Sequence, residues 1–215
     1  MRVLDIVDLK AGIYQVHDMR VSPAVACDYA KYASDYIKED ISKYYCHYEF
    51  GMEHRNELEN YLIKNLDKAI DNGEIRVYYQ PVQRTLTNKL CGKEALTRWI
   101  DSEKGFLSPG IFVPVLEKHN LIHKLDIFVV GCVCRDLRAQ LNAGEVVVPV
   151  SFNLSRLDFV LCNPFEEIEP LAKKYDIPRD LLCVEITESV LMENKESIKS
   201  QVDLFHDAGY KVWID

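Results

Sequence analysis

No stretch of this 215-residue sequence is apolar for the roughly 20 residues that crossing a bilayer requires, so no membrane segment is expected. The opening MRVLDIVDLKAGIY lacks the long apolar core of a secretion signal, which makes the cytoplasm the expected location. The cysteines include no C-x-x-C pair, and their number is odd: Cys27, Cys46, Cys91, Cys132, Cys134, Cys162 and Cys183. They read as thiols of a reducing compartment, not as a disulfide frame or a zinc site. There is no glycine-rich phosphate loop and no G-x-S-x-G nucleophile elbow. Positive charge is scarce as well, with 26 Lys and Arg against 34 Asp and Glu and a net charge of −8. A general nucleic-acid surface needs a basic face, so no DNA or RNA polymer is expected as a partner. A small phosphate ligand stays open, because a bound divalent cation inverts the local field.

What is present suits a soluble globular protein: 48% of the residues are apolar and 28% charged. Residues 1–50 read as strand, helix, strand. AGIYQVHD is a short strand. Ser22-Pro23 opens a helix with Val25, Tyr29, Ala33 and Ile37 at helical spacing, and SKYYCHYEF returns as a strand. This α+β piece is too small to bury a core alone and reads as the tail of a domain. Residues 51–74 read as a connecting helix, with an apolar stripe of Leu58, Leu62, Leu66, Ala69 and Ile70 and a stop at Asn72-Gly73.

From residue 75 the rhythm becomes strand and helix in alternation. IRVYYQPV and KEALTRWI read as strands, and KGFLSPG as a turn opening a helix at Ser108-Pro109. A long helix, HKLDIFVVGCVCRDLRAQLNAG, leads to the strand EVVVPVSFNLS. The helix NPFEEIEPLAKKYD, the strand LLCVEITES, the helix NKESIKSQVDLFHDAG and the strand YKVWID follow. Near-continuous apolar strands separated by helices predict an α/β fold with a parallel sheet covered by helices.

Each later strand ends on an oxygen donor: Glu94, Asn153, Glu185 and Asp215, at intervals of 59, 32 and 30 residues. One strand–helix–strand period is roughly 30 residues, so these donors occupy equivalent points of successive repeats. In a parallel barrel such points converge on the face where the chemistry sits. Oxygen donors without His or Cys suit a hard cation, Mg²⁺ or Mn²⁺, better than zinc, and three clustered carboxylates need a cation or a proton to coexist. Arg98 shares the strand face of Glu94 and could aim its fork at a phosphate or pair with one of the acids. Thr187 shares the face of Glu185, while Glu188 is out of phase with it and reads as a loop support. The six histidines show no ligand pairing. His119 and His123 have a metal-like spacing, but Asn120-Leu121 reads as a helix break between them.

The segments YYQP, EALTRW, FNLS, VEITES and AGYKVWID, with GFLSPGIFVPVLEKHNLI between them, stand in the order found in EAL-domain cyclic di-GMP phosphodiesterases. Residues 75–215 resemble the N-terminal part of that domain. The resemblance implies a TIM-like (β/α)8 barrel, represented here by about five strands, that uses Mg²⁺ or Mn²⁺ to hydrolyse cyclic di-GMP to linear pGpG in bacterial signalling. It implies that Glu94, Asn153, Glu185 and Asp215 are metal ligands. Arg98 becomes the phosphate contact, Gln80 and Leu96 line the substrate site, and Glu188 joins Glu94 in the catalytic set by holding a loop near the metals. In the family a second Asp, a D-F-G-x-G loop, a Lys, a Glu and a Gln follow Asp215. This chain is therefore expected to be weak or inactive alone, with its missing half supplied by a longer parent or by exchange between copies in a homodimer. Residues 1–50 resemble the end of a GGDEF domain through LKAGIYQVHD, the following helix and YYCHYE, which points to a tandem GGDEF–EAL parent. Two other readings are a non-catalytic module that binds cyclic di-GMP or a protein, and a glycosidase with two carboxylates on a barrel face. The Asn and Arg among the acids fit the glycosidase poorly.

Overall fold

The computed structural model describes residues 9–18, 20–38, 42–186 and 195–214, and the chain divides into two compact units at Leu62–Ile63. In the first unit, β1 (Ala11–Ile13) pairs in parallel with β2 (Tyr45–His47), and α1 (Pro23–Tyr36) makes the crossover that parallel pairing demands. α1 starts where the sequence places it: Pro23 occupies its first turn, and the Ser22 hydroxyl accepts the Val25 N–H at 3.4 Å. The expected strand AGIYQVHD is shorter than its pattern and covers only Ala11–Ile13. α1 passes so close to β1 that a side chain on Gly12 would meet the Ala30 carbonyl oxygen at 1.7 Å.

α2 (Met52–Asp71) carries the expected stripe, with Leu62, Leu66 and Ala69 buried. It stops at Gly73, whose φ of +70° lets its N–H reach the Ile70 carbonyl while Glu74 N–H reaches that of Ala69.

Loop length decides strand direction in the second unit. Six residues, 84–89, join β3 (Ile75–Gln83) to β4 (Leu90–Asp101). That is too short for a helical crossover, so the two strands form an antiparallel hairpin, Gln80 facing Glu94 and Tyr78 facing Leu96. The expectation that all strands run one way is corrected here. A second departure follows β4: KGFLSPG holds a short antiparallel strand, β5 (Gly105–Leu107), folded back after Asp101 accepts the N–H groups of Glu103 and Lys104.

Beyond this point the chain winds as expected. α3 (Pro109–Lys118) and α4 (Ile122–Asn142) are separated by Asn120, which has a positive φ and breaks the helix between His119 and His123. β6 (Val150–Asn153), α5 (Asp158–Leu161), α6 (Pro164–Lys174), β7 (Leu182–Ile186), α7 (Lys195–Asp207) and β8 (Lys211–Ile214) follow. The sheet order is β3-β4-β6-β7-β8, parallel from β4 onward. The strand expected over EVVVPVSFNLS begins only at Val150, although Lys93 N–H donates to the Pro149 carbonyl at 2.9 Å. Among the described residues no helix is long and apolar enough to cross a membrane.

One sheet face is packed with helices. Ala95, Val150, Phe152, Leu182, Val184 and Ile186 meet Val130, Val133 and Leu137 of α4, Ile168 and Ala172 of α6, and Phe205 of α7. Each of the larger of these side chains contributes about 1.5–3 kcal/mol by its burial. Tyr79 O–H donates to Asp136 at 2.8 Å and pins β3 to α4.

Glu169 ties the far strands together. Arg179, just before β7, grips it with two bonds of 2.8 and 2.9 Å, and Tyr210, just before β8, donates its hydroxyl at 2.7 Å. Arg179 is the main reason that the Glu169 carboxyl drops to about 2. A carboxylate whose pKa is lowered by folding stabilises fully above its ordinary range and loses that contribution on acidification. Glu169→Gln is expected to cost about 1–3 kcal/mol at neutral pH. It is also expected to flatten the fall of melting temperature between about pH 5 and pH 2, as read by circular dichroism; equal slopes in both proteins would remove Glu169 from this role.

Candidate functional site

Alternation sorts β4 into two faces. Ala95 and Trp99 are buried on the helix side, with Trp99 edge-on to Phe112 at 5.8 Å, while Glu94, Leu96 and Arg98 point to the other side. Register extends that second face across the sheet. Gln80 lies opposite Glu94, Glu94 opposite Ser151, and Asn153 opposite Glu185, with Trp213 next to Glu185 on β8. The face turned away from the helices therefore carries Gln80, Glu94, Leu96, Arg98, Asn153 and Glu185. Two further candidates, Glu188 and Asp215, lie outside the described residues, as does Thr187.

Asn153 and Glu94 approach each other directly, with Nδ2 and Oε1 3.5 Å apart. Glu94 and Glu185 are half-buried and Asn153 is exposed. One residue further on, Leu154 N–H donates to the Glu185 carbonyl at 2.9 Å and carries the β6–β7 pairing past Asn153. Arg98 uses one guanidinium nitrogen on the Thr97 carbonyl at 2.8 Å. Gln80 is exposed, opposite Glu94. A cavity of about 290 Å³ opens beside these groups, lined by Leu96, Arg98, Glu117, Asp126, Asn153 and Ser155 among others.

These oxygen donors are of the right kind for a hard divalent cation. Among the described residues no three His, Cys, Asp or Glu side chains are grouped to hold a metal ion. The set expected from the sequence has two acids here, Glu94 and Glu185, with the Asn153 carboxamide between their strands.

The structure adds a group that the sequence reading missed. Ser155 is surrounded by Asp158, Asp126 and Glu117, which come from three different helices. Part of it was legible: Ser155-Arg156-Leu157-Asp158 has the S-x-x-D pattern of a capping box. Burial, and for Asp126 the neighbouring Asp158 charge, push both aspartates above the usual carboxylate range.

Glu94 lies within β4, which runs on to Asp101, and not at the strand end expected for it; with Asn153 and Glu185 on the same face of a TIM-like, mostly parallel sheet it defines a class of barrel proteins, and sequence comparison narrows it. The model of the EAL domain family matches residues 63–215. The chain belongs to the EAL domain family. It is 26% identical to the bifunctional diguanylate cyclase/cyclic di-GMP phosphodiesterase MucR of Pseudomonas aeruginosa, over 94% of this chain and 32% of that protein. It is 34% identical to the cyclic di-GMP phosphodiesterase PA2567 of the same organism, over 72% of this chain and 26% of that protein. It thus spans about a third or less of these relatives. The PaMucR phosphodiesterase in complex with c-di-GMP superposes with a TM-score of 0.67 at 27% identity, covering 72% of this chain and 62% of that one. The S helix-GGDEF-EAL structure of Vibrio cholerae LapD bound to c-di-GMP, at 17% identity and a TM-score of 0.63, covers 95% of this chain and 48% of its own. That likeness is one of fold.

If Asn153 is a ligand, Asn153→Ala weakens Mn²⁺ binding by about tenfold or more, measured by the electron paramagnetic resonance signal of the free ion. An unchanged affinity takes Asn153 out of the set.

Proposed function

We propose that this chain carries part of the active site of a metal-dependent cyclic di-GMP phosphodiesterase, which opens one diester of the cyclic dinucleotide to give linear pGpG. The observation that carries the reading is the shared face: Glu94, Asn153 and Glu185 on neighbouring parallel strands, with Arg98 turned the same way on β4. The phosphodiesterase names of the relatives at 26% and 34% identity support it.

Glu94, Asn153, Glu185 and Asp215 are the residues proposed to hold Mg²⁺ or Mn²⁺. A cation held by them would supply the charge to polarise the phosphate and to lower the pKa of an attacking water. The remaining steps belong to the chain. Arg98 offers a phosphate oxygen the guanidinium donors that make no bond among the described residues, a planar fork matched to that geometry. Gln80 and Leu96 are proposed to border the nucleotide, with Glu188 a further member of the proposed set.

Residues 1–50 are proposed to be the tail of a GGDEF domain, 51–74 the connecting helix and 75–215 the N-terminal part of the EAL domain, in a cytoplasmic tandem protein. A homodimer or an exchange of barrel segments between copies is the assembly this proposal allows. No cyclase activity is assigned to the chain.

Incubating the full-length protein with cyclic di-GMP and Mg²⁺ or Mn²⁺ tests the reading by chromatography of the products. Linear dinucleotide is expected, and Glu94→Gln is expected to lower kcat by about 10²–10³-fold. Binding by calorimetry without product favours the non-catalytic module instead.

A further inference from the structure

Asn153 is the last residue of β6, and the chain must turn immediately after it. The turn is held at Ser155 by more groups than a turn needs. Ser155 N–H donates to Asp158 Oδ2 of α5 at 2.7 Å and, more weakly, to Asp126 Oδ2 of α4 at 3.4 Å. Its hydroxyl donates to Glu117 Oε1 of α3 at 2.7 Å and accepts the Leu157 N–H at 3.3 Å. Two local bonds, Ser155 N–H to Asp158 and Leu157 N–H to the Ser155 hydroxyl, already close the turn that leads into α5. Asp126 and Glu117 are not needed for that turn, and they are costly, because they add negative charge beside a fully buried aspartate.

Burial dominates both aspartates and raises both, and the two interact through their side chains. The neighbouring Cys162 thiol is raised to about 11, mainly by burial and then by Asp158, so it adds no charge at neutral pH. Both aspartates meet the N–H of Ser155, two residues from Asn153 in the chain. Between them, Leu154 is locked to the Glu185 carbonyl.

We propose that Glu117, Asp126 and Asp158 are positioning residues for the strand-end site: from three helices they clamp Ser155 and so set where the Asn153 carboxamide stands against Glu94. The proposal rests on the reading of Asn153 as a metal ligand. Outer groups of this kind typically govern ligand placement and are worth about 10–100-fold in metal affinity or activity.

The test uses the full-length protein and the variants S155A, D158A, D158N and E117Q. Mn²⁺ affinity is read from the paramagnetic resonance of the free ion, alongside steady-state kinetics and thermal unfolding in chelator. S155A and D158A are expected to weaken Mn²⁺ binding about tenfold and to lower kcat with little change in KM. D158N keeps an acceptor for Ser155 N–H and a donor for Asp126, and is expected to restore both values. In the metal-free protein, the infrared band of a protonated carboxyl group is expected in wild type and absent from D126N/D158N. Should D158A fail to fold, S155A and E117Q carry the comparison. Wild-type affinity and kcat in folded S155A and E117Q would overturn the proposal and leave only a structural brace. A wild-type protein that binds no Mn²⁺ would overturn the functional reading itself, and this inference with it.

Discussion

Parallel pairing of β4, β6 and β7 is the constraint on which the rest depends. Glu94 aligns with Ser151, and Asn153 with Glu185. A slip of one residue in either pairing would turn an oxygen donor into the helix-packed core and an apolar side chain out. The register is held from the core side, where Val150, Phe152, Leu182 and Val184 are all buried against the helices. Site and core are two faces of the same alternation. A core substitution that shifted β6 would therefore be felt at Asn153 before it unfolded the unit.

The two faces carry opposite electrostatic costs. The helix side is almost wholly apolar and gains stability by excluding water. The other side carries Glu94 and Glu185 together with Asn153 and Arg98. Where the cost is not repaid by a ligand, the fold supplies partners of its own. Glu169 is matched by Arg179 and Tyr210, while Asp126 and Asp158 both accept from the Ser155 N–H. The first arrangement secures β7 and β8 from below, and the second secures the exit of β6.

Features that depend on neighbours in the chain were legible in the sequence. Ser22-Pro23 starts α1, Gly73 ends α2, and Asn120 separates two helices and keeps His119 from being in helical register with His123. The repeat interval also located Glu94, Asn153 and Glu185 on one face without any coordinates. Features that depend on distant pairing were not legible. The alternation of Ile75, Val77 and Tyr79 is the same whether β3 runs parallel or antiparallel to β4, and only the six-residue connection decides it. Residues 145–149 have strand composition but lie outside the paired strand. The clamp on Ser155 joins Glu117 and Asp126, 38 and 29 residues away, for which no local pattern exists.

The central claim is that Glu94 of β4, Asn153 of β6 and Glu185 of β7 form one cation-binding site for a phosphodiester. A crystal of the full-length protein grown with Mn²⁺ and a non-hydrolysable cyclic di-GMP analogue tests it most directly, through the anomalous signal of manganese. The account predicts a peak within direct coordination distance of Glu94, Asn153 and Glu185, with a phosphate oxygen completing the shell near Arg98. A bound analogue with manganese absent from that face, or held elsewhere, would contradict it.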